Sequence, residues 1–112
     1  MDGARLASAL AAKNNDVSLS DIAKNCDMFY IGGTKCGAMY GECLVIVNEE
    51  YKKSFRNYMK QKGAMISKGY NLSLQFDELF TDDLYFKIGR YQDDLAEHNT
   101  FIKIIFRNFF KL

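Results

Sequence analysis

"DMFYIGGTKCGAMYGECLVIV", residues 27–47, holds two apolar runs around a glycine-rich loop. Runs as short and continuous as "DMFYI" (27–31) and "CLVIV" (43–47) read as buried strands, because a strand covered on one face only alternates apolar with polar residues. Eleven residues, 32–42, separate the two runs. A parallel pair needs a crossover of about a dozen residues or more, so as neighbours these strands pair antiparallel. The loop between them carries one lysine, Lys35, set between Thr34 and Cys36 and flanked by Gly33 and Gly37.

On the N-terminal side, "GARLASALAAK" (3–13) predicts a helix rich in alanine and leucine, with Asp2 at the N-cap position. "NND" (14–16) ends it. "SLSDIAKN" (18–25) predicts a short second helix, with Ser18 as the cap and Asp21 three residues on. Beyond the strands, "EEYKKSFRNYMKQKG" (49–63) predicts an amphipathic helix. Tyr51, Phe55, Tyr58 and Met59 share its apolar face, and Gly63 closes it. "SLQFDELF" (73–80) and "DDLYFKIGRYQDDLAEH" (82–98) continue in helical period. Proline is absent, which suits a chain of many helices. The order is α/β and mostly helical. Two strands alone do not make a stable sheet, so the chain reads as a segment of a larger α/β protein. A strand preceding Asp2 would run parallel beside residues 27–31, joined to them through helix 3–13 by a right-handed crossover.

Composition narrows the function. A net charge of +1 gives no basic excess for a phosphate backbone, so no nucleic acid partner is expected. No apolar run reaches the roughly 18 residues of a membrane span, and "MDGARL" lacks the basic n-region of a secretory signal. Three cysteines, Cys26, Cys36 and Cys43, are odd in number and lack C-x-x-C spacing. That speaks against a disulfide framework or a zinc site, and for a reducing, cytoplasmic setting.

Taken singly, the polar residues have ordinary readings. Asp2 caps a helix, Arg5 is its ion-pair partner, and Lys35 is a solvated loop lysine. Taken together they suggest chemistry. An acid opens a helix, and a glycine-flanked lysine follows 33 residues later, after a buried strand. Pyridoxal phosphate needs that pair: an amine to carry it as a Schiff base, and a carboxylate to keep its pyridine nitrogen protonated. Thr34 offers a hydroxyl for a phosphate oxygen.

"MDGARLASAL" followed by "DMFYIGGTKCGAMYGECLVIVN" resembles the threonine aldolase and aromatic amino acid β-eliminating lyase family of fold-type-I pyridoxal-phosphate enzymes. "KQKGAM" and "LSLQF" extend the resemblance to about residue 90. It implies a fold, part of the large domain of such enzymes, a mixed sheet flanked by helices, with residues 1–90 as the C-terminal part of that domain. It implies a cofactor, pyridoxal 5′-phosphate, and a reaction, cleavage of the Cα–Cβ bond of a β-hydroxy amino acid such as threonine to glycine and acetaldehyde. It implies roles: Asp2 for the pyridine nitrogen, Lys35 for the Schiff base and then for proton transfer, Thr34 for the phosphate, and Arg5 for the substrate carboxylate, which its bidentate fork suits. Full-length members are expected to be homo-oligomers acting on a small-molecule amino acid, with no membrane partner.

Two alternatives stand beside this reading. The same machinery serves a β-elimination on an aromatic amino acid. A chain without the family's phosphate loop and stacking ring would instead be a non-catalytic remnant or interaction fragment. Residues 91–112 depart from the family as a divergent apolar and basic tail, with Lys103, Arg107 and Lys111 every four residues; it reads as the product of truncation or of a shifted reading frame.

Overall fold

Strands β1 (Met28–Gly32) and β2 (Glu42–Ile46) pair antiparallel in the computed structural model, with Phe29 opposite Val45 and Ile31 opposite Cys43. The structure describes the backbone of residues 1–110 and the side chains of residues 1–101. The basic and apolar faces expected for the tail, Lys103 and Arg107 among them, lie outside the described side chains.

Residues 1–3 extend the sheet on the other edge of β1. The Met1 amino group donates to the Met28 carbonyl (3.0 Å), the Tyr30 amide to the Met1 carbonyl (3.3 Å), and the Gly32 amide to the Gly3 carbonyl (2.9 Å). Donor and acceptor numbers rise together, as in a parallel pairing. The segment carrying Asp2 thus runs parallel to β1, as the sequence implied, and leads into α1 (Leu6–Ala11). Glycine is required here: a Cβ at Gly32 would lie 2.6 Å from the Gly3 carbonyl oxygen. Helix α1 is shorter than the expected 3–13. Its N-cap residue is Arg5, and Asp2 lies upstream of the helix rather than capping it. The pairing of residues 1–3 with β1 keeps them extended, so helical geometry starts only afterwards.

Helix α2 (Leu19–Asn25) carries the expected capping box, the Ser18 side chain and the Asp21 side chain each bonding the other's backbone amide. After β2 the single helix expected over 49–63 is two: α3 (Glu49–Lys52) and α4 (Phe55–Gln61), broken at Ser54 with φ 61°. Neither buries a residue, and Tyr58 is 61% exposed. An amphipathic face with no core against it does not hold a short helix straight, because isolated helices under about 12–15 residues are marginal. Gly63 ends α4 as expected, at φ 68°. Helix α5 (Tyr70–Phe80) and a 3₁₀ turn (Thr81–Asp83) lead into the long α6 (Leu84–Phe110).

The core lies on one face of the sheet. Phe29 and Ile31 of β1 pack with Leu6 and Ala7 of α1, Ile22 of α2, Leu79 of α5, Tyr85 of α6, and Cys36 and Ala38 of the loop. Each large apolar side chain so buried contributes about 1.5–3 kcal/mol. The other face is open among the described residues. Leu44 is 45% exposed there, beside Met28, Tyr30 and Ile46. The continuous apolar runs were expected to be covered on both faces; among the described residues helices cover only the first.

Helices α1 and α6 cross at Gly89. A Cβ there would lie 2.4 Å from the Ala7 carbonyl oxygen, which is backbone and cannot step aside. Gly89→Ala is expected to destabilise by about 1–2 kcal/mol net, the overpacking cost exceeding the roughly 1 kcal/mol of helix propensity gained. Urea denaturation checks this through a lower midpoint at unchanged slope; a higher midpoint would refute the close crossing.

Candidate active site

The parallel pairing of residues 1–3 with β1 sets Asp2 beside Tyr30. Along β1 the side chains alternate, so Phe29 and Ile31 enter the core and Tyr30 points to the other face. There the Tyr30 hydroxyl donates a short hydrogen bond to Asp2 Oδ1. The Ala4 amide donates to the same oxygen (2.9 Å). Among the described residues Oδ2 accepts no hydrogen bond. The Tyr30 hydroxyl holds the Asp2 carboxyl below its ordinary value of 3.8, with the Ala4 amide next and the Lys35 charge a smaller cause. The same hydroxyl bond pushes the Tyr30 phenol up. Asp2 is therefore a carboxylate at neutral pH.

Lys35 is exposed in the turn that follows β1. The turn is fastened on both sides of it. The Cys36 and Ala38 amides donate to the Gly33 carbonyl (2.8 and 3.0 Å). The Cys36 thiol is buried against the Tyr85 carbonyl (3.4 Å), and burial pushes its pKa up. The Lys35 carbonyl accepts from Gln92 Nε2 (2.7 Å). Among the described residues the Lys35 amine makes no hydrogen bond or ion pair, and neither does the Arg5 guanidinium.

Asp2, Arg5 and Lys35 come together. With Met1, Ala4, Leu6 and Ala9 they line one depression of about 510 Å³. A carboxylate, a guanidinium and a primary amine around one cavity can hold an amino acid and a cofactor that attaches to an amine. The ordinary reading of Arg5 as the ion-pair partner of Asp2 is not seen. A depression of about 410 Å³ at the opposite end of β1, lined by Met1, Asn25, Cys26, Asp27, Met28 and Tyr51, offers no basic side chain.

Thr34 is outside this depression. Its hydroxyl donates to Glu42 Oε1 (3.0 Å), and the Gly33 amide donates to Glu42 Oε2 (2.6 Å). Glu42, Tyr30 and Gln92 were not singled out in the sequence. For Tyr30 the signal was present: strand alternation places it opposite the core, on the face where Asp2 emerges. For Gln92, 57 residues from Lys35, there was none.

A carboxylate hydrogen-bonded to Tyr30 of β1 and a lysine turn at the end of the same strand mark this as a segment of mixed helix and strand with one polar depression. The comparisons give a similar solved structure. The threonine aldolase of Leishmania major is similar in structure with a TM-score of 0.83 and is 49% identical in sequence, over 86% of this chain and 28% of that one. The chain resembles the threonine aldolase family over most of its own length and spans little more than a quarter of the length of that relative. No family model and no curated protein matches it.

Tyr30→Phe removes the main cause of the low Asp2 pKa. The Asp2 titration midpoint is expected to move up toward 3.8, read from the side-chain carboxyl carbon by NMR. The sign for stability follows: a lowered folded-state pKa stabilises above the unfolded value and is lost as pH falls through the folded one. The acid limb of the stability profile should therefore flatten in Tyr30→Phe. An unmoved midpoint would remove Tyr30 from the site.

Proposed function

We propose that this chain carries the lysine, acid and arginine of a pyridoxal-phosphate lyase of the threonine aldolase type, cleaving the Cα–Cβ bond of a β-hydroxy amino acid such as threonine to glycine and acetaldehyde. One observation carries the reading: Asp2, Arg5 and Lys35 line the same depression. The residues fit the cofactor. Asp2 is ionised and keeps one oxygen clear of other donors, as a partner for a protonated pyridine nitrogen must. Lys35 presents an amine that no described residue engages, on a turn whose backbone is fastened.

When bound, the cofactor supplies an electron sink for the carbanion left at Cα. The chain's own residues do the rest. Asp2 holds the proton on the pyridine nitrogen. Arg5 grips the substrate carboxylate with its planar fork and so orients the bond to be broken. Lys35, once its amine is free, carries a proton to Cα. Thr34 would serve a phosphate oxygen only after its hydroxyl turned from Glu42.

The 112 residues alone are expected to turn over little threonine. The sheet face around Leu44 is uncovered among the described residues, and the chain spans 28% of its relative. Phosphate affinity also needs several convergent backbone N–H groups, and the Gly33 amide is engaged by Glu42.

Addition of pyridoxal phosphate is expected to give a yellow absorbance that borohydride fixes onto Lys35, located by peptide mapping. Lys35→Ala should lose it, while alanine at Lys52, Lys53 or Lys60 should not. Label retained in Lys35→Ala, or spread over those other lysines, would reject the assignment.

A further inference from the structure

Gln92, half-buried on α6, spends both ends of its amide on the two segments that carry the site. Its Oε1 accepts from the Ser8 hydroxyl of α1 (2.8 Å), and its Nε2 donates to the Lys35 carbonyl (2.7 Å). Helix α1 follows directly from Asp2 and Arg5. One side chain from the far part of the chain thus spans the acid-bearing helix and the lysine turn.

We propose that Gln92 is the positioning residue of Lys35, fixing the carbonyl of the lysine turn relative to α1 so that the amine is presented to the depression that Asp2 and Arg5 line. The chemistry requires such a device. Lysine has four rotatable side-chain carbons, so its reach is long and its direction is set by the backbone from which it starts. A turn free to rotate its Thr34–Lys35 or Lys35–Cys36 peptide would scatter the amine. The Lys35 carbonyl lies in the second of those peptides, and Gln92 holds it from outside the turn. The hydrogen bonds within the turn, from Cys36 and Ala38 to the Gly33 carbonyl, close the loop but tie it to no helix. The Cys36 thiol and the Tyr85 hydroxyl fasten its buried side to the start of α6. Gln92, two helical turns further along, fastens its exposed side. The Lys35 carbonyl can only accept, so the NH₂ end of the amide faces the turn, and the Ser8 hydroxyl, which can donate, holds Oε1 on the other side. The consequence for the cofactor rests on the functional reading above; the bridge itself does not.

Gln92→Glu separates the two bonds. The carboxylate still accepts from Ser8 but has nothing to donate to the Lys35 carbonyl. Gln92→Met, of similar length, removes both bonds without adding charge, and Ser8→Ala removes only the first. Amide hydrogen exchange is read by NMR in each variant after circular dichroism confirms the fold. Exchange at Cys36 and Ala38 is expected to rise about three- to tenfold in Gln92→Glu and Gln92→Met, the weight of one hydrogen bond, with β1 amides unchanged, and to rise less in Ser8→Ala. Borohydride-fixed pyridoxal phosphate on Lys35 should fall by a similar factor in both Gln92 variants. Unchanged exchange at Cys36 and Ala38, or a rise shared equally by β1, would overturn the proposal. So would equal labelling of Lys35 in wild type and Gln92→Glu. Wild-type protein that takes no label would instead sink the functional reading, and the bridge would stand or fall by the exchange data.

Discussion

The Tyr85 hydroxyl donates to the Gly32 carbonyl (3.0 Å) from a side chain with no exposed surface, and the site is built around that bond. Gly32 is the last residue of β1 and Tyr85 the second of α6, so the bond pins the start of the long helix to the end of the central strand. A buried phenol without a partner would be costly; here its acceptor is the carbonyl from which the lysine turn departs. Burial pushes the phenol up to about 12, so it remains a donor across the physiological range. Phe80 stacks on the ring at 5.1 Å and Phe86 meets it edge-on at 5.6 Å, which brings the end of α5 into the same cluster. The strand end, the turn and the helix are therefore fastened to one another.

From that anchor the site divides its labour. The buried groups, Tyr85, Cys36 and the core residues of β1, supply rigidity. The exposed groups, Asp2, Arg5 and Lys35, supply charge. Tyr30 belongs to both sets, since its backbone pairs with Leu44 in the sheet while its hydroxyl lowers the pKa of Asp2. Exposed charges ordinarily interact weakly through water. The carboxylate here is tuned by hydrogen bonds rather than by burial, which leaves it open to a ligand.

Much of this was legible in the sequence where the signal is local. Ser18 and Asp21, three residues apart, announced the capping box. The eleven-residue spacing fixed the antiparallel sense of β1 and β2, and the glycine-flanked lysine with an acid upstream drew attention to the residues that line one depression. What was not legible depended on partners distant in the chain. The helix expected over 49–63 breaks at Ser54 because no core lies against Tyr51 or Tyr58, a fact about the rest of the molecule. Asp2 was expected to cap a helix; pairing of residues 1–3 with β1, visible only in three dimensions, holds it extended instead. Thr34 was read for a phosphate without knowledge that Glu42, eight residues on, accepts a hydrogen bond from its hydroxyl. Leu44 illustrates a further limit: an apolar run shows that a strand can be covered on both faces, not what covers it.

The alternation along β1 has a consequence for fidelity of folding. Phe29 and Ile31 face the core while Tyr30 faces Asp2, and the strand repeats every two residues. A slip of one residue would send all side chains to the opposite faces. It would bury a tyrosine hydroxyl among aliphatic groups and, in the same movement, strip the carboxylate of its principal donor. Register thus governs acidity as well as packing: a chain threaded out of step would lose its core and its low-pKa acid together.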